Sequence, residues 1–344
     1  MSSILNSEQI AAAQKLIQQS DSIVITSHKS PDGDAVGSSL ALYHLMKALG
    51  KENVHVILPD AAPDFLQWVQ GYNDIIFFDE DEKEATDLIN AADLVFCADY
   101  NLLTRTGEKM GAVLKAAARP SILIDHHQQP EDFPVVLYSD TSACSTCEMV
   151  FRFTDQCGWR KRISLAMAEA IYLGIMTDSG SFRFPSVSSE THEIVAYLIE
   201  QGLDHARIHR EVYDTNLLDR LKLVGYALSE KLEVIEEAAT AIIWLTNDEL
   251  VRFKHRQGDT EGLVNQALSI KGVKMAVFLR EGNSEVKLSF RSKNTFDVNQ
   301  FARKSWNGGG HKNAAGGATS ENIMDALKRL KEEVMAVKND ILAS

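Results

Sequence analysis

Aspartate and histidine side chains follow apolar segments at four places along the chain. They are His28 with Asp32 and Asp34, then Asp99, then Asp125 with His126 and His127, and finally Asp178. Imidazole and carboxylate groups together suit a first-row divalent ion such as manganese, whereas magnesium rarely binds histidine. So many carboxylates beside buried segments would carry a large uncompensated negative charge unless cations were bound. The residue types therefore predict a centre for divalent cations.

Short apolar segments alternate with helical patterns in the first half of the chain, which is typical of βαβ units and a parallel sheet. The predicted strands cover residues 23–26, 55–58, 75–78, 94–98, 121–124 and 135–138. Because ligands bind at the carboxyl edge of open α/β sheets, the residues that follow three of these strands are expected to meet there. A helix is predicted over residues 34–50, and its first N–H groups would favour a phosphate at the same edge.

The pattern is almost entirely helical from residue 188 to residue 230, and strands return at 231–235, 240–245, 274–280 and 285–291. The last two are predicted to form a hairpin around Gly282 and Asn283, and a final charged helix covers 321–338. We therefore predict an α/β protein of two domains. A parallel-sheet catalytic domain covers residues 1–187, a helical connector covers 188–225, and a smaller α/β domain covers 226–344.

The chain has 344 residues and a formal net charge of −13. An acidic surface repels polyanions, which argues against long duplex nucleic acid but permits a small phosphorylated substrate beside bound cations. Residues 1–20 lack the basic and apolar regions of a secretion signal. No segment has the length and apolarity needed to cross a bilayer. These features predict a cytoplasmic protein that does not bind membranes.

Four cysteines do not form the pattern of a disulfide framework in a chain of this length. Cys144 and Cys147 make one C-x-x-C pair, but a structural zinc site would need a second pair. The residues around them predict the first turn of a buried helix instead.

The histidine and aspartate clusters, in this order, resemble the four signature motifs of the DHH phosphoesterase superfamily, which is named for the triplet found here at Asp125, His126 and His127. The run from Asn307 to Gly317 resembles the glycine-rich motif of the DHH-associated C-terminal domain. The compact two-domain form is similar to the nanoRNase branch, whose members degrade very short RNA and remove phosphate from 3′-phosphoadenosine 5′-phosphate (pAp). The motifs extend from residue 22 to residue 317, nearly the whole chain.

The resemblance implies two Mn2+ ions per chain, with Mg2+ or Co2+ as substitutes. One ion would be held by His28, Asp32 and Asp99, and the other by Asp34, Asp99, His126 and Asp178. Asp125 would orient a histidine through its ring N–H, and His127 would point at the substrate phosphate. A pair of cations roughly 3.5–4 Å apart activates water for in-line attack at phosphorus. We therefore predict direct attack by water without a covalent intermediate, and catalytic roles for Asp34, Asp99 and His127.

Substrate binding is predicted at five further residues: Arg183, Arg291, Gly309, Gly310 and His311. Arg183 follows Asp178 closely enough to meet a phosphate oxygen, although a surface arginine explains its position equally well. The glycines let the backbone approach a phosphate, and His311 donates to the same group. Arg291 matches the substrate arginine of the family. The predicted partners are short single-stranded RNA and nucleotides such as pAp, and the family suggests a homodimer formed through the connector.

Three alternatives share the same residues. The first is a cyclic-dinucleotide or linear diadenylate phosphodiesterase, although its membrane-bound forms would carry an N-terminal membrane and sensory region. The second is a manganese pyrophosphatase, which is expected to lack the glycine-histidine motif at residues 308–311. The third is a nucleotide-binding regulatory protein without activity, which the loss of a metal ligand would mark, and no ligand position departs from the family pattern.

Overall fold

A computed structural model describes residues 5–282 and 284–344. The chain divides into two compact units, of which the first ends at Thr215 and the second begins at Asn216. No helix within the described residues is both long enough and apolar enough to span a membrane.

Six parallel strands form the sheet of the first unit. They are β1 (Ser22–Thr26), β2 (Asn53–Leu58), β3 (Ile76–Phe77), β4 (Leu94–Ala98), β5 (Ser121–Asp125) and β6 (Val136–Ser139). Their order is β3-β2-β1-β4-β5-β6, and every neighbouring pair is parallel. The predicted parallel sheet is therefore confirmed. The order reverses between β1 and β4, which makes their carboxyl ends the topological switch point of the sheet.

Helices cover both faces of this sheet. They are α1 (Ser7–Gln19), α2 (Gly33–Ala48), α3 (Glu82–Ala91), α4 (Glu108–Ala117), α5 (Thr146–Gln156), α6 (Leu165–Asp178), α7 (Ser189–Glu200) and α8 (His205–Tyr213). Successive side chains of a strand point to opposite faces, so Ile23 and Ile25 enter the larger core while Val24 enters the core on the other face. Because both faces of the sheet are buried, the sequences of its strands are nearly continuous apolar runs.

Helices α2 and α6 approach closely because each has a glycine at their contact. A Cβ atom at Gly37 would lie 2.5 Å from the carbonyl oxygen of Ala170, and a Cβ atom at Gly174 would lie 2.5 Å from Oδ1 of Asp34. The two helices can therefore bring Asp34, in the first turn of α2, and Asp178, at the end of α6, to the same edge of the sheet.

The second unit contains a mixed six-stranded sheet. Its strands are β7 (Leu232–Ile235), β8 (Thr240–Leu245), β9 (Met275–Glu281), β10 (Val286–Ser292), β11 (Gly309–His311) and β12 (Ala314–Thr319), in the order β11-β12-β10-β9-β8-β7. Only β8 and β9 pair in parallel within this sheet. Strands β9 and β10 pair as the predicted hairpin, although Asn283 of the predicted turn lies outside the described residues.

The described residues of the second unit form six α-helices: α9 (Leu218–Glu230), α10 (Asn247–Arg252), α11 (Leu263–Leu268), α12 (Val298–Ser305), α13 (Ile323–Ala336) and α14 (Lys338–Ala343). The predicted final helix over residues 321–338 is observed as α13, and the short helix α14 follows it. Two cores lie in this unit, and one of them includes Leu223 and Ala227 of α9.

The stretch predicted to be almost entirely helical consists of three helices. Ile194 of α7 and Ile208 of α8 lie in the larger core of the first unit, whereas α9 contributes to the second unit. The helices are interrupted at Gly202, whose φ of 95° is left-handed, and again after Asp214, the C-cap of α8. The division between Thr215 and Asn216 falls inside this stretch.

Candidate metal centre

The histidine and aspartate clusters meet at the carboxyl edge of the first sheet. Asp99 directly follows β4, Asp125 ends β5, and His28 lies just beyond β1. Strands β1, β4 and β5 are neighbours, so their carboxyl ends lie side by side. The sequence separates these residues by almost a hundred positions, and the parallel pairing brings them to one place.

The first group consists of His28, Asp32 and Asp99. Nε2 of His28 lies 3.3 Å from Oδ2 of Asp99 and 3.9 Å from Oδ1 of Asp32. Nδ1 of His28 is bonded to the carbonyl oxygen of Lys29 at 2.9 Å, which directs Nε2 towards the carboxylates. Oδ1 of Asp32 also accepts from the N–H groups of Asp34 and Ala35. Asp32 is therefore the N-cap of α2, and these N–H groups, which were predicted to favour a phosphate, donate to its carboxylate instead.

The second group consists of Asp34, Asp99, His126 and Asp178. Nε2 of His126 lies 3.8 Å from Oδ2 of Asp34, 3.6 Å from Oδ1 of Asp99 and 3.4 Å from Oδ2 of Asp178. Nδ1 of His126 is bonded to the carbonyl oxygen of Ala143 at 3.2 Å. Asp178 has 32% of its side chain exposed, so this group is open to solvent on one side.

Asp99 belongs to both groups. Potential ligand atoms of His28, Asp32 and Asp99 lie within 4.8 Å of one another, as do those of Asp34, Asp99 and His126. Asp99 has a left-handed φ of 63°, an uncommon conformation that aspartate adopts more readily than most residues. Its Oδ2 faces His28 and its Oδ1 faces His126, so each oxygen of this carboxylate faces one of the two groups.

Asp125 and His127 form a third, fully buried contact. Oδ1 of Asp125 lies 2.7 Å from Nδ1 of His127, and Oδ2 accepts from the N–H of the same residue at 3.0 Å. Nδ1 of His127 is also 3.7 Å from Oδ1 of Asp99. Asp125 therefore fixes the orientation of the His127 ring beside the shared carboxylate.

The electrostatics of the cluster favour bound cations. Burial raises the pKa of Asp34 well above its usual value, and the negative charges of Asp99 and Asp178 raise it further. Burial also raises the pKa of Asp99, but the hydrogen bond and positive charge of His28 outweigh burial and hold that pKa well below the usual range. Without a cation, the positive charge beside Asp34 is therefore too small to stabilise its ionised form. Mixed imidazole and carboxylate ligands fit a first-row divalent ion at this position.

The two imidazoles that face the carboxylates must lose protons to bind a cation. Burial lowers the pKa of His28 and of His126, but contacts with Asp99, and with Asp32 or Asp178 respectively, outweigh burial and raise each pKa to about 9. Both rings are therefore protonated at pH 7 in the cation-free protein, whereas a ligating ring must be neutral.

We expect Mn2+ binding at pH 7 to release protons, and the apparent affinity to rise between pH 7 and about 9 by up to about tenfold per pH unit for each ring. Isothermal titration in two buffers with different heats of ionisation measures this release. Equal heats in both buffers would contradict the prediction.

Three residues interact with this centre in ways that the sequence does not predict. The hydroxyl of Thr146 donates to Oδ1 of Asp99, and the backbone N–H groups of Thr146 and Cys147 donate to Asp34. Burial and the charge of the Arg105 guanidinium both lower the pKa of His127. The backbone carbonyl oxygen of Arg105 accepts from the N–H of Lys29. A pattern of apolar periodicity cannot reveal such contacts, because they join residues far apart in the chain.

The cysteines have a packing role here. Cys147 lies in the first turn of α5 and Cys144 just before it, as predicted. The Sγ atom of Cys144 donates to Glu148, and that of Cys147 lies against the contact between α2 and α6. All four cysteines are free and buried, and the groups that could hold a metal within the described part of the chain include none of them.

The residues predicted to bind substrate lie in both units. Arg183 is exposed, and its Nε donates to the carbonyl oxygen of Gly180 in its own loop. In the second unit, Arg291 and His311 both pair with Ala314, one from each side of β12. Side chains of residues in such a row point to the same face of the sheet, so Arg291 and His311 lie on one face, two strands apart.

The packing of the chain explains two glycines of the glycine-rich motif, independently of the predicted ligand. A Cβ atom at Gly310, whose φ is 145°, would lie 2.6 Å from the carbonyl oxygen of Ala314, and one at Gly308 would overlap the carbonyl oxygen of Gly316. Gly309 differs, since a Cβ atom there would meet its nearest neighbours at 3.8 Å. Close pairing of β11 with β12 therefore requires Gly308 and Gly310 whether or not a phosphate binds.

Two family models match the sequence. The model of the DHH family, N-terminal domain, covers residues 22–175, and the model of the DHHA1 domain covers residues 240–336. The first match includes every residue of the cluster except Asp178, and the second includes Arg291 and the glycine-rich motif.

Curated and solved relatives extend this similarity to most of the chain. The bifunctional oligoribonuclease and PAP phosphatase NrnA of Bacillus subtilis is 28% identical over 91% of this chain and 96% of its own length. The cyclic-di-AMP phosphodiesterase GdpP of Geobacillus thermodenitrificans is 27% identical over 94% of this chain but 48% of its own length. A crystal structure of an exopolyphosphatase-related protein from Bacteroides fragilis is 40% identical, with a TM-score of 0.93 over 99% of both chains.

Proposed function

Because this chain belongs to the DHH family and is a hydrolase acting on phosphoester bonds, we propose that it cleaves very short RNA to mononucleotides and converts pAp to AMP. The observation that carries the proposal is the shared carboxylate of Asp99 between two groups of ligand side chains. The match to the Bacillus subtilis oligoribonuclease and PAP phosphatase over nearly its full length supports this choice of substrates.

Two Mn2+ ions are the proposed cofactors, with Mg2+ or Co2+ as substitutes. His28, Asp32 and Asp99 would hold one ion, and Asp34, Asp99, His126 and Asp178 the other. When bound, such a pair supplies an activated water and stabilises the charge that develops at phosphorus. The chain contains the ligand types that manganese prefers, and one of its buried carboxylates carries a raised pKa that a cation would relieve.

The remaining residues of the cluster would orient the reacting groups. Asp125 accepts from Nδ1 of His127, so the other ring nitrogen is the atom that we assign to the substrate phosphate. Burial and the nearby charge of Arg105 lower the pKa of His127 well below its usual value. A phosphate dianion would reverse this effect and favour a protonated ring that donates to a phosphate oxygen.

Substrate binding is assigned to Arg183 and to one face of the second sheet, where Arg291, Gly309, Gly310 and His311 lie. An arginine fork suits a terminal phosphate, and His311 adds a second donor on the same face. The net charge of −13 opposes long polyanions, so short single-stranded RNA and mononucleotides are the proposed ligands rather than long duplexes. That the protein forms a homodimer and that it is located in the cytoplasm are further predictions.

Turnover of a matched substrate panel tests this function. The panel contains a dinucleotide, a pentanucleotide, an RNA of roughly 24 nucleotides, pAp, a linear diadenylate and pyrophosphate, each with and without Mn2+. We expect rapid manganese-dependent cleavage of the dinucleotide and pAp, slower cleavage of the pentanucleotide and little cleavage of the longest RNA, because only short chains avoid the repulsion of an acidic surface.

Other outcomes of the panel assign other functions. Activity confined to the diadenylate would favour the phosphodiesterase alternative that the similarity to GdpP suggests. Activity confined to pyrophosphate would overturn the substrate assignment and retain the metal centre. No turnover of any member, with Mn2+ bound, would favour a nucleotide-binding protein.

A further inference from the structure

Residues just before α5 and in its first turn contact three of the four side chains of the second ligand group. The carbonyl oxygen of Ala143 is bonded to Nδ1 of His126 at 3.2 Å. Backbone N–H groups of Thr146 and Cys147 donate to the two oxygens of Asp34 at 2.6 and 2.9 Å. These bonds come from the backbone, so the fold of the segment, more than its side chains, orients His126 and Asp34.

Thr146 is the exception, because its side chain also takes part. Its hydroxyl is fully buried and donates to Oδ1 of Asp99 at 2.9 Å. Oδ1 is the oxygen that faces His126, while Oδ2 faces His28. The hydroxyl therefore sets the rotation of the carboxylate that belongs to both ligand groups. Thr146 touches two carboxylates at once, one through its backbone and one through its side chain.

Buried charges hold Thr146 in place. Ser145 caps α5 by accepting from the N–H of Glu148. The carboxylate of Glu148 in turn accepts from Cys144 and from Thr191 of α7, and Arg152 pairs with Glu148 and with Asp140. These groups are almost completely buried, so the turn before α5 is fixed on both sides. A rigid support of this kind is needed if one hydroxyl is to control the geometry of a metal ligand.

We propose that Thr146 is a positioning residue of the metal centre: its hydroxyl orients Asp99 so that each oxygen of that carboxylate faces one cation site. The inference rests on the proposed metal sites and goes beyond the motif residues named above, among which Thr146 is not found. Thr146 does not contact the substrate in this role. It acts through Asp99, on cation affinity and on the rate of the chemical step.

Thr146→Val tests the proposal because valine retains the shape of threonine and removes the hydroxyl. We expect Mn2+ affinity at one or both sites to fall by about 10–100-fold, the usual effect of losing a partner of a metal ligand. With Mn2+ saturating, kcat on a dinucleotide should fall while KM changes little. Thr146→Ser, which keeps the hydroxyl, should restore affinity and kcat to within about threefold of the unmodified protein.

Thr154→Val is the matched control. Thr154 is equally buried on the same helix, and its hydroxyl donates to the carbonyl oxygen of Val150, away from the carboxylates. Its substitution should leave Mn2+ affinity unchanged. Isothermal titration measures affinity without any substrate, and Thr146→Ala replaces the valine variant if the latter does not fold.

The titration separates this inference from the proposed function. Unchanged Mn2+ affinity and kcat in folded Thr146→Val or Thr146→Ala would overturn the role of Thr146, and so would an equal loss of affinity in Thr154→Val. If the unmodified protein binds Mn2+ but cleaves neither short RNA nor pAp, the proposed substrates fail while the comparison of affinities still decides the role of Thr146. If the unmodified protein binds no Mn2+, the role of Thr146 fails with the metal sites.

Discussion

Asp99→Asn is expected to lower kcat on a dinucleotide by at least about a thousandfold, the scale on which loss of a strong electrostatic stabiliser acts. Asp99 is the one carboxylate in both ligand groups, so the substitution removes negative charge from both proposed cation sites. Asparagine suits this position because, like aspartate, it adopts a left-handed backbone with little strain, and φ is 63° here. Alanine would add backbone strain to the loss of the ligand.

The measurement combines steady-state turnover with a count of bound Mn2+ by isothermal titration. Asp93→Asn is the matched control, since Asp93 lies just before the opposite end of β4, where its carboxylate accepts from the N–H groups of Asp21 and Ser22. The control should keep full turnover and full Mn2+ binding. Retention of more than about a tenth of the activity by Asp99→Asn, with two ions bound, would show that the shared carboxylate is not essential.

The strands that carry the centre were predictable from the sequence because they are buried on both faces. Runs of mostly apolar residues at 23–26, 94–98 and 121–124 indicate such strands, and an ionisable residue shortly after each indicates the edge where ligands bind. The strand predicted at residues 75–78 is also present, but β3 is only two residues long, because this edge strand pairs with β2 only at Ile76 and Phe77.

Other features depend on contacts that no local pattern encodes. The hydroxyl of Thr146 donates to a carboxylate 47 residues away, and the charge of Arg105 lowers the pKa of His127, which lies beyond the end of β5. The glycines at 308 and 310 were interpreted through a phosphate, whereas the packing of β11 on β12 already requires them. Gly202 did carry a signal, since glycine commonly ends a helix, and it lies just after α7 in the stretch that was predicted to be almost entirely helical.

Gly174→Ala is expected to damage both the fold and the metal centre. Gly174 lies on α6 where that helix approaches α2 and α5, and a Cβ atom there would overlap Sγ of Cys147 and lie 2.5 Å from Oδ1 of Asp34. Relief of this overlap requires the helices to separate or Asp34 to rotate. We expect unfolding free energy to fall by about 1–3 kcal/mol, as is usual for overpacked cores, and Mn2+ affinity to fall because Asp34 is displaced.

Denaturant unfolding and Mn2+ titration distinguish the two effects. Adding Cys147→Ala to Gly174→Ala removes the overlap with sulfur but not the contact with Asp34, so stability should recover in part while Mn2+ affinity stays low. Gly225→Ala is the control: Gly225 is an exposed helical position of α9 with no atom near a new Cβ, and alanine there should raise stability by about 0.5–1 kcal/mol. Because helix propensity favours alanine at both glycines, a loss confined to Gly174→Ala isolates the effect of close packing beside Asp34. Normal stability and normal Mn2+ affinity in that variant would show that α6 can move away from Asp34 without cost.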